Sequence, residues 1–436
     1  MVKKILTPFQ KFVQIESFSG ILLFSATAIA MILANSPLAD QFQSVWQYKI
    51  GISATGFELV KPLILWINDG LMAVFFFLIG LEIKRELLLG ELNTVKKATF
   101  PLFAAIGGMV IPVILFLVLN NNNPETSRAW GIPMATDIAF SLAILKLLGN
   151  KVPLGLKIFL IAFAIVDDLG AVLVIAVFYS EEIKWGLIGI AMIMLAILFF
   201  LSSKKIYIWS LSLLFGVVIW ILFLKSGIHP TIAGILMAFT IPIRRKMDMK
   251  TYAKGLDCIS RLIKDSGNPD SPLLSKTQIE EIDNLEDWTE KVQSPLQHLE
   301  HKLHNWVAFL IMPIFALSNS GVQLGGEGMD LHLSLSGNIG ISLVIGKLLG
   351  VAFFSWLALK LKLAELPSGT SFGQIIGVAL LAGVGFTMSI FVANLAFPEQ
   401  QMLLDSSKVG ILAGSLFAGF AGYIILRVTL KSSLKS

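Results

Sequence analysis

Apolar runs of about 18 residues or more recur along this 436-residue chain. A helix needs about 20 apolar residues to cross the roughly 30 Å hydrocarbon layer of a bilayer. Hydrophobic residues make up 55% of the chain and charged residues only 14%, whereas a soluble domain carries about 25% charged residues. The sequence therefore predicts an all-α polytopic membrane protein, a single integral domain over residues 1–436 that contacts the lipid bilayer.

Hydropathy predicts about twelve membrane spans. They lie near residues 17–35, 62–84, 100–119, 127–148, 154–178, 186–202, 206–224, 228–243, 305–322, 337–360, 372–397 and 408–429. Connections rich in lysine and arginine alternate with connections that are poor in them. By the positive-inside rule both termini are predicted to be cytoplasmic, which an even number of spans requires.

Two of the connections are unusual. Residues 41–61 alternate apolar and polar positions around "SATG", which favours an external β-hairpin, although an irregular loop fits about as well. Residues 244–303 form a long, highly charged cytoplasmic connection. We interpret it as a solvated loop with one short helix at "KTQIEEIDNLEDWTEKV" and not as a second domain.

Two predicted spans contain helix-breaking residues. Residues 127–148 hold Gly131, Pro133 and Thr136, and residues 372–397 hold "AGVG". An interrupted helix in each half of a transporter is a typical sign of its binding site. Broken helices expose backbone groups at membrane depth, which is tolerated only where they line a cavity or are buried in protein.

The fifth span, "IAFAIVDDLGAVLVIAVF", carries two adjacent acids, Asp167 and Asp168. Each acid at the bilayer centre costs about 2.5–3.5 kcal/mol. Neighbouring helix positions point about 100° apart, so both can face one bundle interior. Burial and the neighbouring like charge favour the protonated carboxyl, while an arriving cation favours the ionised one. Such a pair suits proton–cation exchange, whereas a structural hydrogen bond explains one of the two acids at most.

Three further polar residues within predicted spans are candidates for the same site. Thr136 and Asp137 lie in the interrupted fourth span, and Lys347 lies in the middle of the tenth. A lysine at that depth needs a carboxylate or helix C-terminal carbonyls, so the aspartate pair is its natural partner. Alternatively, Lys347 only neutralises the ends of helix dipoles.

Charged residues also cluster at predicted span ends. The motif "GLEIKREL" ends the second span and "LEHKLHNW" precedes the ninth; they contain Glu82, Lys84, Arg85, Glu86, Glu300, His301 and His304. The first motif alone is more typical of an interfacial anchor. The second is a weak metal-site pattern, although histidine titrates in the range needed for pH sensing.

Composition excludes several classes of function. The single cysteine, Cys258, rules out an intrachain disulfide framework and a cysteine-built metal site. The net charge of +5 comes mostly from lysines and arginines in connections, so it indicates topology and not nucleic-acid binding. We expect no enzyme activity and no cofactor apart from transported ions.

Seven motifs together resemble the NhaA family of bacterial Na⁺/H⁺ antiporters. They are, in order, "GLEIKREL", "GIPMATDIAFSLAIL", "FLIAFAIVDDLGAVLVIA", "GIHPTIAG", "LEHKLHNWVAFLIMPIFALSNSGV", "IGKLLG" and "GVGFTMSIFVANLAF". The resemblance covers nearly the whole chain. It implies twelve helices in the bacterial inner membrane, with spans three to five and ten to twelve as inverted repeats. Spans four and eleven would be broken and would cross near the midplane.

The resemblance also implies roles for individual residues. Asp168 would be the principal cation carboxylate, and Asp167 beside it would either bind the ion or pair with Lys347. Thr136 would lie near the ion, while Asp137 and Lys347 would offset the converging dipole ends. A pH-activation region would comprise Glu82, Arg85, Glu86, Glu300 and His301. Family members dimerise through a hairpin like that expected at 41–61.

The chain departs from the family pattern at three places. The loop before the ninth span is longer by roughly residues 263–292, Asn305 replaces an expected proline, and Pro230 follows His229. These differences concern pH regulation more than transport.

The expected function is electrogenic, pH-regulated exchange of Na⁺ or Li⁺ for H⁺ by a homodimer, serving sodium and pH homeostasis. Two other classes of protein share some of these features. A Na⁺-coupled symporter of an organic anion would need a roomier polar cavity. An intramembrane aspartyl protease would need Asp137 and Asp167 to share a proton, and its Tyr-Asp and Gly-x-Gly-Asp contexts are missing from the sequence.

Overall fold

The computed structural model describes residues 8–54, 57–90, 92–121, 123–180, 182–204, 206–245, 247–266, 273–324 and 331–432. Residues 1–7 and 433–436, which are the extreme ends of the termini predicted to be cytoplasmic, lie outside these ranges. The turn of the predicted hairpin at residues 55–56 also lies outside them, as do residues 246 and 267–272 of the long connection.

Helices account for most of the described chain. The α-helices are α1 (Pro8–Ala34), α2 (Ala39–Gln47), α3 (Leu63–Leu65), α4 (Met72–Leu89), α5 (Val95–Leu119), α6 (Ile138–Leu147), α7 (Leu154–Phe178), α8 (Trp185–Ser203), α9 (Trp209–Ser226), α10 (Thr231–Thr240), α11 (Met249–Asp265), α12 (Lys276–Val292), α13 (Pro295–Trp306), α14 (Met312–Asn319), α15 (Leu333–Ile341), α16 (Lys347–Lys360), α17 (Phe372–Leu381), α18 (Phe386–Ala396) and α19 (Gln401–Ser432). The π-helical turns Trp66–Leu71, Val307–Ile311 and Ser342–Gly346 join α3 to α4, α13 to α14 and α15 to α16. The 3₁₀ segments are Ser127–Met134 and Gly149–Lys151.

The prediction of a polytopic helical membrane protein is confirmed. Among the described residues, 8 helical segments are long and apolar enough to cross a membrane, and two bent pairs raise the number to 10. The other two predicted spans, 228–243 and 305–322, do not stand out as long apolar helices. The helix α10 has only 10 residues, and α14 continues from α13, whose charged residues lie in the same helix.

The two interrupted spans cross each other, as predicted. The first changes from the 3₁₀ segment Ser127–Met134 to α6, and the second bends by 45° between α17 and α18. The amide of Asp137 donates to the Val384 carbonyl at 2.7 Å, and the Thr136 hydroxyl donates to the Ala382 carbonyl at 2.9 Å. Each break thus satisfies backbone groups exposed by the other, which burial in a membrane protein requires.

Close helix contacts hold the bundle together. Helices α5 and α16 approach so closely at Gly107 that an added Cβ would collide with the Gly350 carbonyl. At Gly234, α10 approaches the Ala73 carbonyl at the start of α4 in the same way. Small residues permit this approach of membrane helices. One buried cluster joins α5, α6, α7, α16, α17 and α19, and another joins α8, α9 and α10, with α4 packed against it.

The segment predicted as a hairpin is only partly extended. Strands β1 (Lys49–Ala54) and β2 (Phe57–Pro62) pair antiparallel, with Ile52 opposite Leu59. Residues up to Gln47 instead form the helix α2, so alternation was the wrong interpretation of that part. The four-residue spacing of Phe42 and Trp46, whose ring centroids are 5.7 Å apart, is the helical signal.

The long connection is also more structured than predicted. The expectation of one short helix in 244–303 is wrong, because α11, α12 and α13 all fall within or begin in this region. Asp248 caps α11, and Ser275 with Gln278 forms a capping box at α12. The helices α11 and α12 pack against each other through Tyr252, whose hydroxyl lies 3.0 Å from that of Thr289.

Candidate functional site

Asp137 lies where two helix N-termini meet. Its Oδ1 accepts the Phe140 amide of α6 at 3.0 Å. Its Oδ2 accepts the amide and the hydroxyl of Thr387, in the first turn of α18, at 3.2 and 2.6 Å. An ionised carboxylate can only accept hydrogen bonds, and the positive ends of helix dipoles stabilise its charge. Asp137 is therefore placed to offset both converging dipoles.

Lys347 fills the complementary position. Its ammonium donates to the Met134 carbonyl at the end of the 3₁₀ segment and to the Thr136 hydroxyl at 2.9 Å. It also lies 2.9 Å from both carboxylate oxygens of Asp167. Lys347 and Asp167 are fully buried. The lysine thus balances one carboxylate and a helix C-terminal carbonyl, combining the two roles that the sequence left as alternatives.

Asp168 differs from its neighbour. It is also buried, but its Oδ1 has no hydrogen-bond partner among the described residues. It borders a cavity of about 70 Å³ that also reaches Thr136, Asp137 and Thr387. The cavity continues to Glu82 on α4 and to His304 on α13. Asp168 is accordingly the carboxylate of the pair that faces the cavity.

A second charged cluster lies at the end of α4. The Arg85 guanidinium is 2.9 Å from Glu300 and 2.7 Å from Glu86. Glu82, one turn earlier, lines the cavity. Burial raises the pKa of Glu300, and the charge of Arg85 offsets part of this rise. The structure therefore brings four of the five predicted pH-activation residues together, while His301 is exposed on α13.

His304 belongs to this end of the cavity although we did not assign it a role. Burial lowers the pKa of His304 to about 4, so its imidazole is neutral in neutral solution. Its Nδ1 lies 3.9 Å from a Glu82 oxygen, and the charge of the neighbouring His301 lowers the pKa of His304 further. Because His304 follows Glu300 by one helical turn, the spacing of the two residues was the available signal.

A cluster of aromatic rings and amides joins α4, α14 and α18. The ring of Phe391 on α18 lies 5.5 Å from that of Phe76 on α4 and 6.3 Å from that of Phe315 on α14. The Asn394 and Asn68 amides donate to Asn319 Oδ1 at 2.9 and 3.2 Å. These polar contacts join segments far apart in sequence, and no motif indicated them.

The polar atoms around Asp168 are mainly oxygens. Within the described ranges, no group of three or more histidine, cysteine, aspartate or glutamate residues is placed to hold a metal ion. The residues that line the cavity include the acids Asp137 and Asp168 and the hydroxyl residues Thr136 and Thr387, while Asp167 is held by Lys347. Hard cations prefer oxygen ligands of this kind, and so few charges favour a small monovalent ion over a tightly held divalent one.

The sequence model of the family described as Na+/H+ antiporter 1 matches residues 10–426. The chain belongs to this family. The Na(+)/H(+) antiporter NhaA of Oleidesulfovibrio alaskensis is 44% identical to it, over 99% of this chain and 96% of that protein. The Na(+)/H(+) antiporter NhaA proteins of Bacteroides thetaiotaomicron and Yersinia pestis are 43% and 42% identical, each over 98% of both chains. The resemblance seen in the motifs is thereby confirmed along the whole transporter.

Proposed function

We propose that this protein is an electrogenic antiporter of the bacterial inner membrane that expels Na⁺ or Li⁺ in exchange for external protons. The observation that carries the proposal is Asp168: a buried carboxylate with an unpaired oxygen that borders a cavity at the crossing of two broken helices. The family of the chain and the names of its relatives support exchange of Na⁺ for H⁺.

The ion site follows from the contacts around Asp168. In the absence of sodium the Asp168 carboxyl carries a proton, because burial and the nearby Asp167 oppose its ionisation. A sodium ion entering from the Glu82 end displaces this proton and is held by carboxylate oxygen and the Thr136 hydroxyl. The small cavity, about 70 Å³, suits an ion with a few water molecules and is too small for an organic solute.

The Asp167–Lys347 pair supplies the second titrating unit. Sodium that draws Asp167 toward itself weakens the contact with Lys347, which then releases a proton toward the cavity. Two protons exchanged for one sodium ion move net charge across the membrane, so that the membrane potential drives sodium out. Asp137 takes no part in the exchange, because three donors from two helix N-termini already hold its oxygens.

Neither alternative function gains support from this arrangement. A protease dyad needs two carboxyls that share one proton. Here Asp137 is saturated by helix N-termini and Asp167 is paired with Lys347.

We assign pH regulation to the cluster of Glu82, Arg85, Glu86 and Glu300 at the cavity mouth. Protonation of Glu300 would weaken its contact with Arg85 and so change the packing of α13 on α4. His301 is exposed beside Glu300, and its charge contributes to the electrostatic potential at this mouth. Within the described residues it forms no ion pair. By the positive-inside rule this mouth and both termini are cytoplasmic.

We assign homodimer formation to the hairpin of β1 and β2. Ile50 and Ile52 are 47% and 70% exposed, so the strand β1 presents apolar side chains to a second copy. The hairpin is a firm platform because Trp66 donates to the Ile50 carbonyl at 2.8 Å and Lys61 pairs with Asp69 at 2.8 Å.

The proposed function is tested by the proton gradient across everted membrane vesicles, with Na⁺, Li⁺, K⁺ or no salt added in turn. Dissipation by Na⁺ and Li⁺ alone, increasing from neutral to alkaline pH, is the expected result. A response that requires an organic anion in addition to Na⁺ would contradict antiport and favour symport. Equal responses to K⁺ and Na⁺ would contradict the proposed ion site.

A further inference from the structure

The helices α11 and α12 form a unit set apart from the transport bundle. The chain leaves α10 and returns to α13 at one place, where the Met247 amide donates to the Lys291 carbonyl at 3.1 Å and the Leu296 amide to the Pro242 carbonyl at 3.2 Å. Between these points the two helices pack on each other: Ile259 is buried, and the ring of Trp288 lies directly over Gly255. The pair of helices α11 and α12 is termed the inserted hairpin here.

The outer face of α11 is basic. Lys250, Lys254 and Arg261 are all exposed, and at about 100° per residue they fall within an arc of about 40°. This arc points away from the buried positions Gly255 and Ile259. Within the described part of the hairpin no side chain forms an ion pair with any of the three. Two exposed acids, Asp257 and Asp265, border the stripe on either side, so the face keeps a small net positive charge.

The outer face of α12 carries the opposite charge. Glu280, Asp283 and Glu286 are exposed on α12, and the exposed Lys276 one turn before Glu280 offsets one of these charges. Asp287 beside them is already paired with Lys291 at 2.5 Å. The hairpin therefore has a basic edge and an acidic edge, and a negatively charged plane would attract the first and repel the second. Such a surface would fix which edge of the hairpin turns toward it.

The membrane surface is within reach of the basic edge. Only eight residues separate Thr240, the last residue of the short apolar helix α10, from Met249, the first residue of α11. Arg244 and Arg245 in that connection are exposed, and so are the apolar side chains of Met249 and Leu256 on α11. Clusters of basic residues directly beside a membrane helix, with apolar neighbours, are the pattern that binds anionic lipid headgroups.

We propose that α11 docks on the anionic phospholipid surface of the leaflet at the Arg85 end of the protein, through Lys250, Lys254 and Arg261. By the predicted topology this is the cytoplasmic leaflet. The docked hairpin lies along the membrane with α12 turned to the aqueous side. Docking uses none of the residues of the ion site, so its test does not depend on antiport.

The chain provides its own probe for this contact. Its single cysteine, Cys258, is exposed on α11, next to Arg261 on the helix surface. A fluorophore on Cys258 of the full-length protein reports contact with lipid when the vesicles contain a headgroup-labelled quencher lipid. The vesicles are made of phosphatidylcholine alone or of phosphatidylcholine with phosphatidylglycerol.

Strong quenching only in the vesicles with phosphatidylglycerol, reversed by high salt, is the expected result. Each basic residue near an anionic membrane surface changes the ratio of docked to free hairpin about fivefold. Lys250→Gln, Lys254→Gln and Arg261→Gln together should therefore reduce this ratio about a hundredfold. The matched control, Glu280→Gln, Asp283→Asn and Glu286→Gln, changes the same number of charges on α12 and keeps the quenching. A salt titration of the labelled parent chain tests the same contact without any substitution.

Three results would overturn the proposal. The first is equal quenching in both kinds of vesicle, which would show that lipid charge is irrelevant. The second is unchanged quenching in the α11 triple variant. The third is a signal that follows the density of protein in the vesicle and not the lipid composition, which would assign the basic edge to a second copy of the chain.

Discussion

Replacing Asp137 tests the convergence of two helix N-termini on one side chain. Asp137→Ala removes the N-cap of α6 and the acceptor for the first turn of α18. Loss of one N-cap costs about 0.5–2 kcal/mol. The Thr387 hydroxyl, 2.6 Å from Oδ2, also loses its acceptor in a buried position, which costs about 1–3 kcal/mol. The expected decrease in the free energy of unfolding is therefore about 1.5–5 kcal/mol.

The measurement is unfolding by sodium dodecyl sulfate in mixed micelles, followed by far-ultraviolet circular dichroism. Asp137→Asn keeps one carbonyl oxygen as an acceptor, so its decrease should be about half as large. Ser141→Ala is the matched control, because its buried hydroxyl donates a single bond to the Leu381 carbonyl at 2.9 Å. That change should cost about 0.5–1.5 kcal/mol. If Asp137→Ala costs no more than Ser141→Ala, the double-capping argument is wrong.

Three further predictions concern burial, pH and packing. Lys347→Met leaves the buried Asp167 without its ion-pair partner and should lower the free energy of unfolding by about 3–5 kcal/mol. Adding Asp167→Asn should restore most of this stability, which a double-mutant cycle of unfolding measures. The pKa of His304 is about 4 in the folded protein and about 6.5 in the unfolded chain, so the folded state binds fewer protons between these values. Up to about 3 kcal/mol of stability is therefore lost as the pH falls from about 6.5 toward about 4. His304→Gln should flatten that decline, and a decline identical to that of the parent chain would refute the assignment. Gly107→Val should push α5 away from the backbone of α16 and lower the yield of monodisperse protein in size-exclusion chromatography, whereas Gly186→Val, with nothing within 4 Å, should not.

The sequence predicted the main features of the site because each has a local signature. Two acids in an apolar run, Asp167 and Asp168, are unusual wherever they occur, and glycine or proline marks an interrupted span. The partners of these residues have no such signature. Thr387 lies 250 positions from Asp137, so that only the crossing of the two broken helices brings them together. The Asn394–Asn319 contact is likewise set by tertiary packing alone.

The two wrong predictions about the fold, for residues 41–61 and 244–303, have similar physical causes. Alternation in a short segment does not distinguish a strand from an amphipathic helix. The four-residue spacing of Phe42 and Trp46, whose rings are in contact, favours the helix α2. High charge suggested a solvated loop for residues 244–303. Yet a few apolar residues at helical spacing, such as Ile259 and Trp288, are enough for two helices to pack against each other.

The most direct test of the ion site is proton release when sodium is added to the purified protein, compared between the parent chain and Asp168→Asn. The parent chain should release protons, and a folded Asp168→Asn protein should neither release them nor exchange Na⁺ for H⁺ in proteoliposomes. Release and exchange retained by Asp168→Asn would contradict the claim that sodium and protons compete for this carboxylate.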